Sequence, residues 1–172
     1  MSFHLKRKDL EITDEKLLKK ILKETTYVTL ALSMNNQPYL VSLSHGYDEK
    51  NNCLYFHCAT EGKKLHFFKA NPTVWGQTIL DYGYVQGKCT HLYASVHFQG
   101  KVTMIENLEQ KRNAAACMIN QLDKEPAKLI ADLNEKRLIN AVIGRIDIDY
   151  ISGKKSKEVE LKALIGRKDH SI

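Results

Sequence analysis

Leu17, Leu18, Ile21 and Leu22 recur at the three- and four-residue spacing that gives a helix a single apolar stripe. Thr13 or Asp14 stands ahead of the stripe as an N-cap and Glu15 suits the first turn, so the pattern predicts a helix over residues 12–24. The period then changes from 3.6 to two. TTYVTLALS (25–33), PYLVSLSHGY (38–47) and CLYFHCA (53–59) alternate and are rich in β-branched and aromatic residues, which predicts three strands. MNNQP and DEKNN separate them as turns, so the three form a meander.

Residues 62–69 predict a short helix, with Thr60 as its N-cap and Asn71-Pro72 as its stop. TVWGQTIL (73–80) is a fourth strand, and DYGYVQGKCT (81–90), with two glycines and no period, reads as a loop. HLYASVHFQGKVTMI (91–105) predicts a long fifth strand in which Gly100 marks a bulge or bend. Helices follow over 107–122 and 126–139, the second with Pro126 in its first turn. NAVIGRIDIDYISG (140–153) is a sixth strand, on which Asp147 and Asp149 alternate with Ile146, Ile148 and Tyr150 and take the wet face. The fold expected is mainly β with helices, a small six-stranded antiparallel barrel with peripheral helices. One domain spans 1–155 and a lysine-rich surface tail spans 156–172. A barrel this small fills its own interior, which leaves a ligand the outside, against helices or a second subunit.

At 172 residues, 43% hydrophobic and 27% charged, the chain has the composition of one ordinary globular domain. No apolar run approaches the ~20 residues of a membrane span. The first sixteen residues lack the apolar centre of a secretory signal, so a cytoplasmic location is expected. The net charge of +6 raises nucleic acid as a partner. Its lysines are spread over helical faces and the tail with no nucleic-acid motif, so a solvated surface that attracts small anions is the better reading. Cys53, Cys58, Cys89 and Cys117 include no CxxC, and Cys53 and Cys58 fall on opposite faces of one strand; reduced, mostly buried thiols are expected rather than a zinc site.

The most informative stretch is YFHCATEGKKL (55–65), where a strand ends and Lys63 and Lys64 enter the first turn of a helix. Cations there oppose the helix dipole at about 0.3–1 kcal/mol each. A bound phosphate reverses that sign, because free backbone N–H groups and two ammonium groups converge on one dianion. Two solvated lysines beside a compensating Glu61 explain the stretch equally well.

The run QPYLVSLSHGYDEKNNCLYFHCATEGKKLHFFKANPTV (37–74), with YASVHFQGKVTMIEN (93–107), EQKRNA and RIDIDYISGKK (145–155), resembles the flavin-binding split barrel of the pyridoxamine 5'-phosphate oxidase superfamily, most nearly the Nim-type nitroimidazole resistance proteins. The resemblance implies a homodimer with FMN at its interface. It implies that Val41, Ser42, Leu43 and Ser44 run along the isoalloxazine, that His57 and Cys58 approach the ring and ribityl chain, that Lys63 and Lys64 hold the phosphate, and that Ser95 touches the ring. His57 is the implied catalytic residue, since imidazole titrates near neutrality and can deliver a proton to a reduced nitro group or another acceptor. Cys58 is expected on the opposite side of its strand, and no metal is implied.

The chain departs from the oxidase pattern at two places. An arginine is missing near Leu40 and Val41, and the tryptophan and arginine of the oxidase C-terminus are missing after Tyr150. Pyridoxamine phosphate oxidation is therefore not expected. An FMN-dependent oxidoreductase, passing electrons from a reduced nicotinamide or other donor to a small acceptor such as a nitroaromatic, is the function implied. A flavin binder without turnover and a split barrel holding haem or deazaflavin are the alternatives.

Overall fold

The computed structural model describes residues 6–159. A 3₁₀ turn at Lys8–Leu10 precedes α1 (Glu15–Glu24), whose N-cap Asp14 accepts a hydrogen bond from the Lys16 amide at 2.9 Å. Its stripe of Leu17, Leu18, Ile21 and Leu22 is buried, as its spacing requires. The strands and remaining helices run β1 (Tyr27–Met34), β2 (Gln37–Ser44), β3 (Gly46–Asp48), β4 (Cys53–Cys58), α2 (Lys63–Ala70), β5 (Thr73–Val85), β6 (Thr90–Ile105), α3 (Leu108–Leu122), α4 (Pro126–Ala131), α5 (Glu135–Asn140) and β7 (Val142–Lys155). Asn35 and Asn36, both at positive φ (50° and 62°), form the tight β1–β2 turn whose twist matches that of the flanking strands.

Every strand pairing is antiparallel, in the order β2-β1-β5-β6-β7-β4-β3. The inner face carries Val28, Leu30, Leu54, Phe56, Val74, Val96, Phe98 and Ile146, all nearly or fully buried, and α1 closes one side of this core. A second, smaller core lies behind β4, where Cys53, Tyr55 and Ile143 meet Ala114, Ala115 and Met118 of α3 and Leu138 of α5. The split-barrel architecture is that expected from the sequence.

Three elements differ from the expectation. The sheet has seven strands rather than six, because the strand read over 38–47 breaks at His45. There the chain turns inward, and α3 packs directly on Gly46: a Cβ at that position would lie 2.6 Å from Met118 Cα. Residues 81–90 are not a loop. β5 and β6 continue as a hairpin to Val85 and Thr90, and the register shift between Asp81 and Gly83 erases the two-residue period that would have announced them. The helix read over 126–139 is two short helices, the second begun by Asn134, which accepts from the Arg137 amide at 3.0 Å.

The bulge expected at Gly100 is present, with β6 and β7 changing register between Gln99 and Gly100. The extra residue is Asp149, so the phase of β7 flips: Ile146 and Ile148 face inward, but Tyr150 pairs with Gln99 and is 41% exposed rather than sharing their side. Of the tail, Ser156 and Val159 are buried, and Ser156 Oγ accepts from the Tyr93 amide at 3.0 Å; residues 160–172 lie outside the described residues.

Candidate functional site

The end of β4 and the start of α2 behave as two linked devices. Alternation along β4 sends Leu54, Phe56 and Cys58 toward the barrel core and Cys53, Tyr55 and His57 toward the helices. Cys58 is half-buried; burial raises its thiol pKa, against a smaller opposite pull from Lys64. Cys53 and Cys117 are likewise pushed up by burial, Cys117 to about 11, so none of the three is poised as a thiolate. Cys89, by contrast, is exposed.

α2 starts without a side-chain cap. Its N-cap is Gly62, at φ 134° with no side-chain hydrogen bond, and not Thr60 as the sequence suggests. That φ favours glycine, and a Cβ placed there would meet nothing within 4 Å, so the space in front of the helix is open. Lys63 and Lys64 occupy the first two helical positions. Neither forms an ion pair among the described residues, nor does Glu61, which therefore does not compensate them. Lys63 Nζ sits 4.6 Å from the centroid of Tyr39 on β2 and 5.6 Å from that of Phe67, so the cation leans on aromatic faces that tie α2 to β2. Phe67 and Phe68 are core residues.

On β2 the expected ring-lining residues split by parity. Val41 and Leu43 pack on the core, while Ser42 and Ser44 lie on the outer face, Ser42 Oγ 2.9 Å from Thr29 Oγ. β2, the end of β4 and the opening of α2 thus present Val41 to Ser44, Cys58, Lys63 and Lys64 on neighbouring elements. Ser95 stands apart from them. It is buried in the middle of the sheet between Ile79 and Lys154, with its Oγ 3.5 Å from the Lys154 carbonyl oxygen. His57 also faces away from Cys58. Its ring lines a cavity of about 320 Å³ with α3, α4 and α5.

Other features carry weaker or no sequence signal. Tyr39, beneath Lys63, is one. Another is a continuous outer sheet face on which Leu40, Tyr27, Trp75, Ile79 and Tyr150 are all at least 40% exposed, with Trp75 edge-on to Tyr150 at 5.9 Å. Apolar residues at the outward phase of β1 and β5 were the available sign. The third is His45, fully buried, with Nε2 2.9 Å from the Leu22 carbonyl and Nδ1 without a partner among the described residues. Burial lowers its pKa to about 4.

Comparison with known proteins agrees with this fold. A family model described as pyridoxamine 5'-phosphate oxidase matches residues 14–155. Among solved structures, a candidate 5-nitroimidazole antibiotic resistance protein from Bacteroides thetaiotaomicron superposes with TM-score 0.71 at 23% identity, covering 89% of this chain and 95% of that one. The flavocytochrome Anf3 from Azotobacter vinelandii gives 0.74 at 19% identity over 90% and 73% of the two chains. A FAD-binding protein from Mesorhizobium loti gives 0.61 at 22% over 84% and 96%. No curated protein gives a significant match. The matched span takes in every strand and the helices between them, and the chain belongs to the pyridoxamine 5'-phosphate oxidase family of split barrels.

Proposed function

We propose that the protein is an FMN-binding oxidoreductase that passes electrons from a reduced nicotinamide or other donor to a small acceptor such as a nitroaromatic. The observation that carries the reading is the uncapped start of α2, where two unpaired lysines, a glycine N-cap and open space coincide. A helix opening with its own N–H groups free and two added cations is unfavourable alone and favourable around a phosphate. Lys63, held on Tyr39, and Lys64, beside Cys58, would take the phosphate oxygens. Ser42 and Ser44 offer hydroxyls on the outer face of β2, the strand that leads away from it, while Val41 and Leu43 on its other face fix that strand on the core. The flavin supplies reversible hydride and electron transfer, and the protein supplies placement and charge. His57 makes no hydrogen bond among the described residues and faces the α3–α5 side of β4, opposite Cys58, so its proposed role as proton donor requires the acceptor to reach that side of the strand.

A second protomer completes the site in this reading. The outer face built from Tyr27, Leu40, Trp75, Ile79 and Tyr150 is apolar enough to need a cover, and His97 on the same face holds a buried Nε2 without a partner among the described residues. A homodimer burying this face would bring Ser95 toward the second copy. A FAD-binding protein and a flavocytochrome among the solved structures of this fold support a flavin as the ligand class.

The absorption spectrum of purified protein loaded with FMN tests the reading. Flavin bands that bleach on adding reduced nicotinamide and return with a nitroaromatic are expected. Bands that persist under every donor would leave a flavin binder without turnover, and a Soret band would move the ligand to haem.

A further inference from the structure

The cavity beside His57 lies outside the phosphate-binding corner. Its wall is apolar, made chiefly by Ala115, Met118 and Leu122 of α3, Leu129 of α4 and Leu138 of α5. α4 buries none of its residues, and Leu129 and Leu122 are 40% and 37% exposed although they face into this hollow. The space of about 320 Å³ is at the lower end of the range that holds small ligands. Filling it would remove both leucines from water.

Three polar side chains edge the cavity, and they are not equivalent. Asp123 accepts from the Glu125 amide through Oδ1 at 2.8 Å and, as a carboxylate, has no proton to donate to an anion. The Arg137 guanidinium and the His57 imidazole make no hydrogen bond or ion pair among the described residues. The groups at the edge able to donate to an anion are therefore the Arg137 guanidinium and the His57 imidazole, above an apolar floor. That is complementary to a flat hydrophobic body carrying one anionic group, since guanidinium binds carboxylate through two parallel hydrogen bonds.

We propose that the α3–α4–α5 cavity binds a small aromatic carboxylate, its ring against Leu122, Leu129 and Met118 and its carboxylate on Arg137. The pocket takes this ligand whether or not a flavin occupies the other corner. The test is a titration of the ¹⁵N-labelled full chain with 1-naphthoate and, separately, its neutral analogue 1-naphthamide, each with and without FMN. Saturable amide shifts confined to α3, α4, α5 and the end of β4 are expected, with naphthoate binding about tenfold tighter than the amide. Arg137→Met, at an exposed position, should abolish that preference while leaving naphthamide affinity unchanged. Ala115→Phe should fill the hollow and remove both ligands, with its amide spectrum reporting whether the fold is kept. Absence of shifts in the three helices, equal affinity for acid and amide, or unchanged naphthoate binding by Arg137→Met would overturn the proposal. Shifts clustered at Lys63 and Lys64 instead would also overturn it, by assigning the anion to the phosphate corner.

Discussion

At Lys63 and Lys64 the local helix electrostatics and the proposed ligand pull in opposite directions, and a bound phosphate would account for both lysines. Charged hydrogen bonds contribute roughly 1.5–3 kcal/mol each, so Lys63→Ala with Lys64→Ala should weaken FMN binding by more than tenfold while leaving the melting temperature of the unliganded protein unchanged or slightly higher. Fluorescence quenching on FMN titration measures the first effect and thermal denaturation the second. His45 makes a prediction about stability. Its Nε2–H donates to the Leu22 carbonyl, Gln121 Nε2 donates to the Leu22 and Thr25 carbonyls at 3.0 and 2.8 Å, and no acceptor awaits a proton on Nδ1. Burial holds the folded pKa at about 4, below the value near 6.5 of an unfolded histidine, so between those limits the unfolded chain binds more protons. Stability should be flat above about pH 7 and fall as pH drops toward 4, by up to about 3 kcal/mol. Urea denaturation at pH 7.5 and 4.5 measures this, and His45→Asn should flatten the difference.

Among the elements, those with an uninterrupted period were legible and those containing an irregularity were not. The α1 stripe and the alternation of β1 and β4 announced themselves, as did parity: Cys53 and Cys58 do face opposite sides. β5 beyond Leu80 did not, because the irregularity between Asp81 and Gly83 shifts the phase midway, and Tyr150 was read on the wrong face because Asp149 is a bulge residue that sequence cannot mark. Thr60 lost the N-cap to Gly62 for a related reason: capping propensity describes isolated helices, and this one begins where an open, glycine-only backbone is kept. The break between β2 and β3 depends on long-range packing, the contact of α3 with the Gly46 backbone. Gly46→Ala should force α3 off β3 and lower stability by about 1–3 kcal/mol, read from the denaturation midpoint. An unchanged midpoint would mean the α3 contact adjusts freely.

The whole molecule is a small barrel with a helical layer behind β4 and a bare apolar sheet face on its outside. The family could be read from the sequence, and the proposed phosphate corner located in it, because their most specific residues sit in one continuous run, residues 37–74. The helical cavity could not, since Leu129, Arg137 and His57 come together only in the fold. If the outer face is a dimer interface, Trp75→Glu places a carboxylate at its centre beside Tyr150 and should yield a monomer by light scattering, with FMN affinity reduced at the same time. A dimer that survives Trp75→Glu would put the interface elsewhere.

The account depends most on a phosphate held at the opening of α2, and comparing FMN with riboflavin isolates that group, because the two share the ring and ribityl chain. Titrating both into the wild-type protein and into Lys63→Ala with Lys64→Ala should show FMN preferred by more than tenfold in the former and the preference gone in the latter. Equal affinity for the two flavins in the wild type, or a preference that survives loss of both lysines, would contradict it.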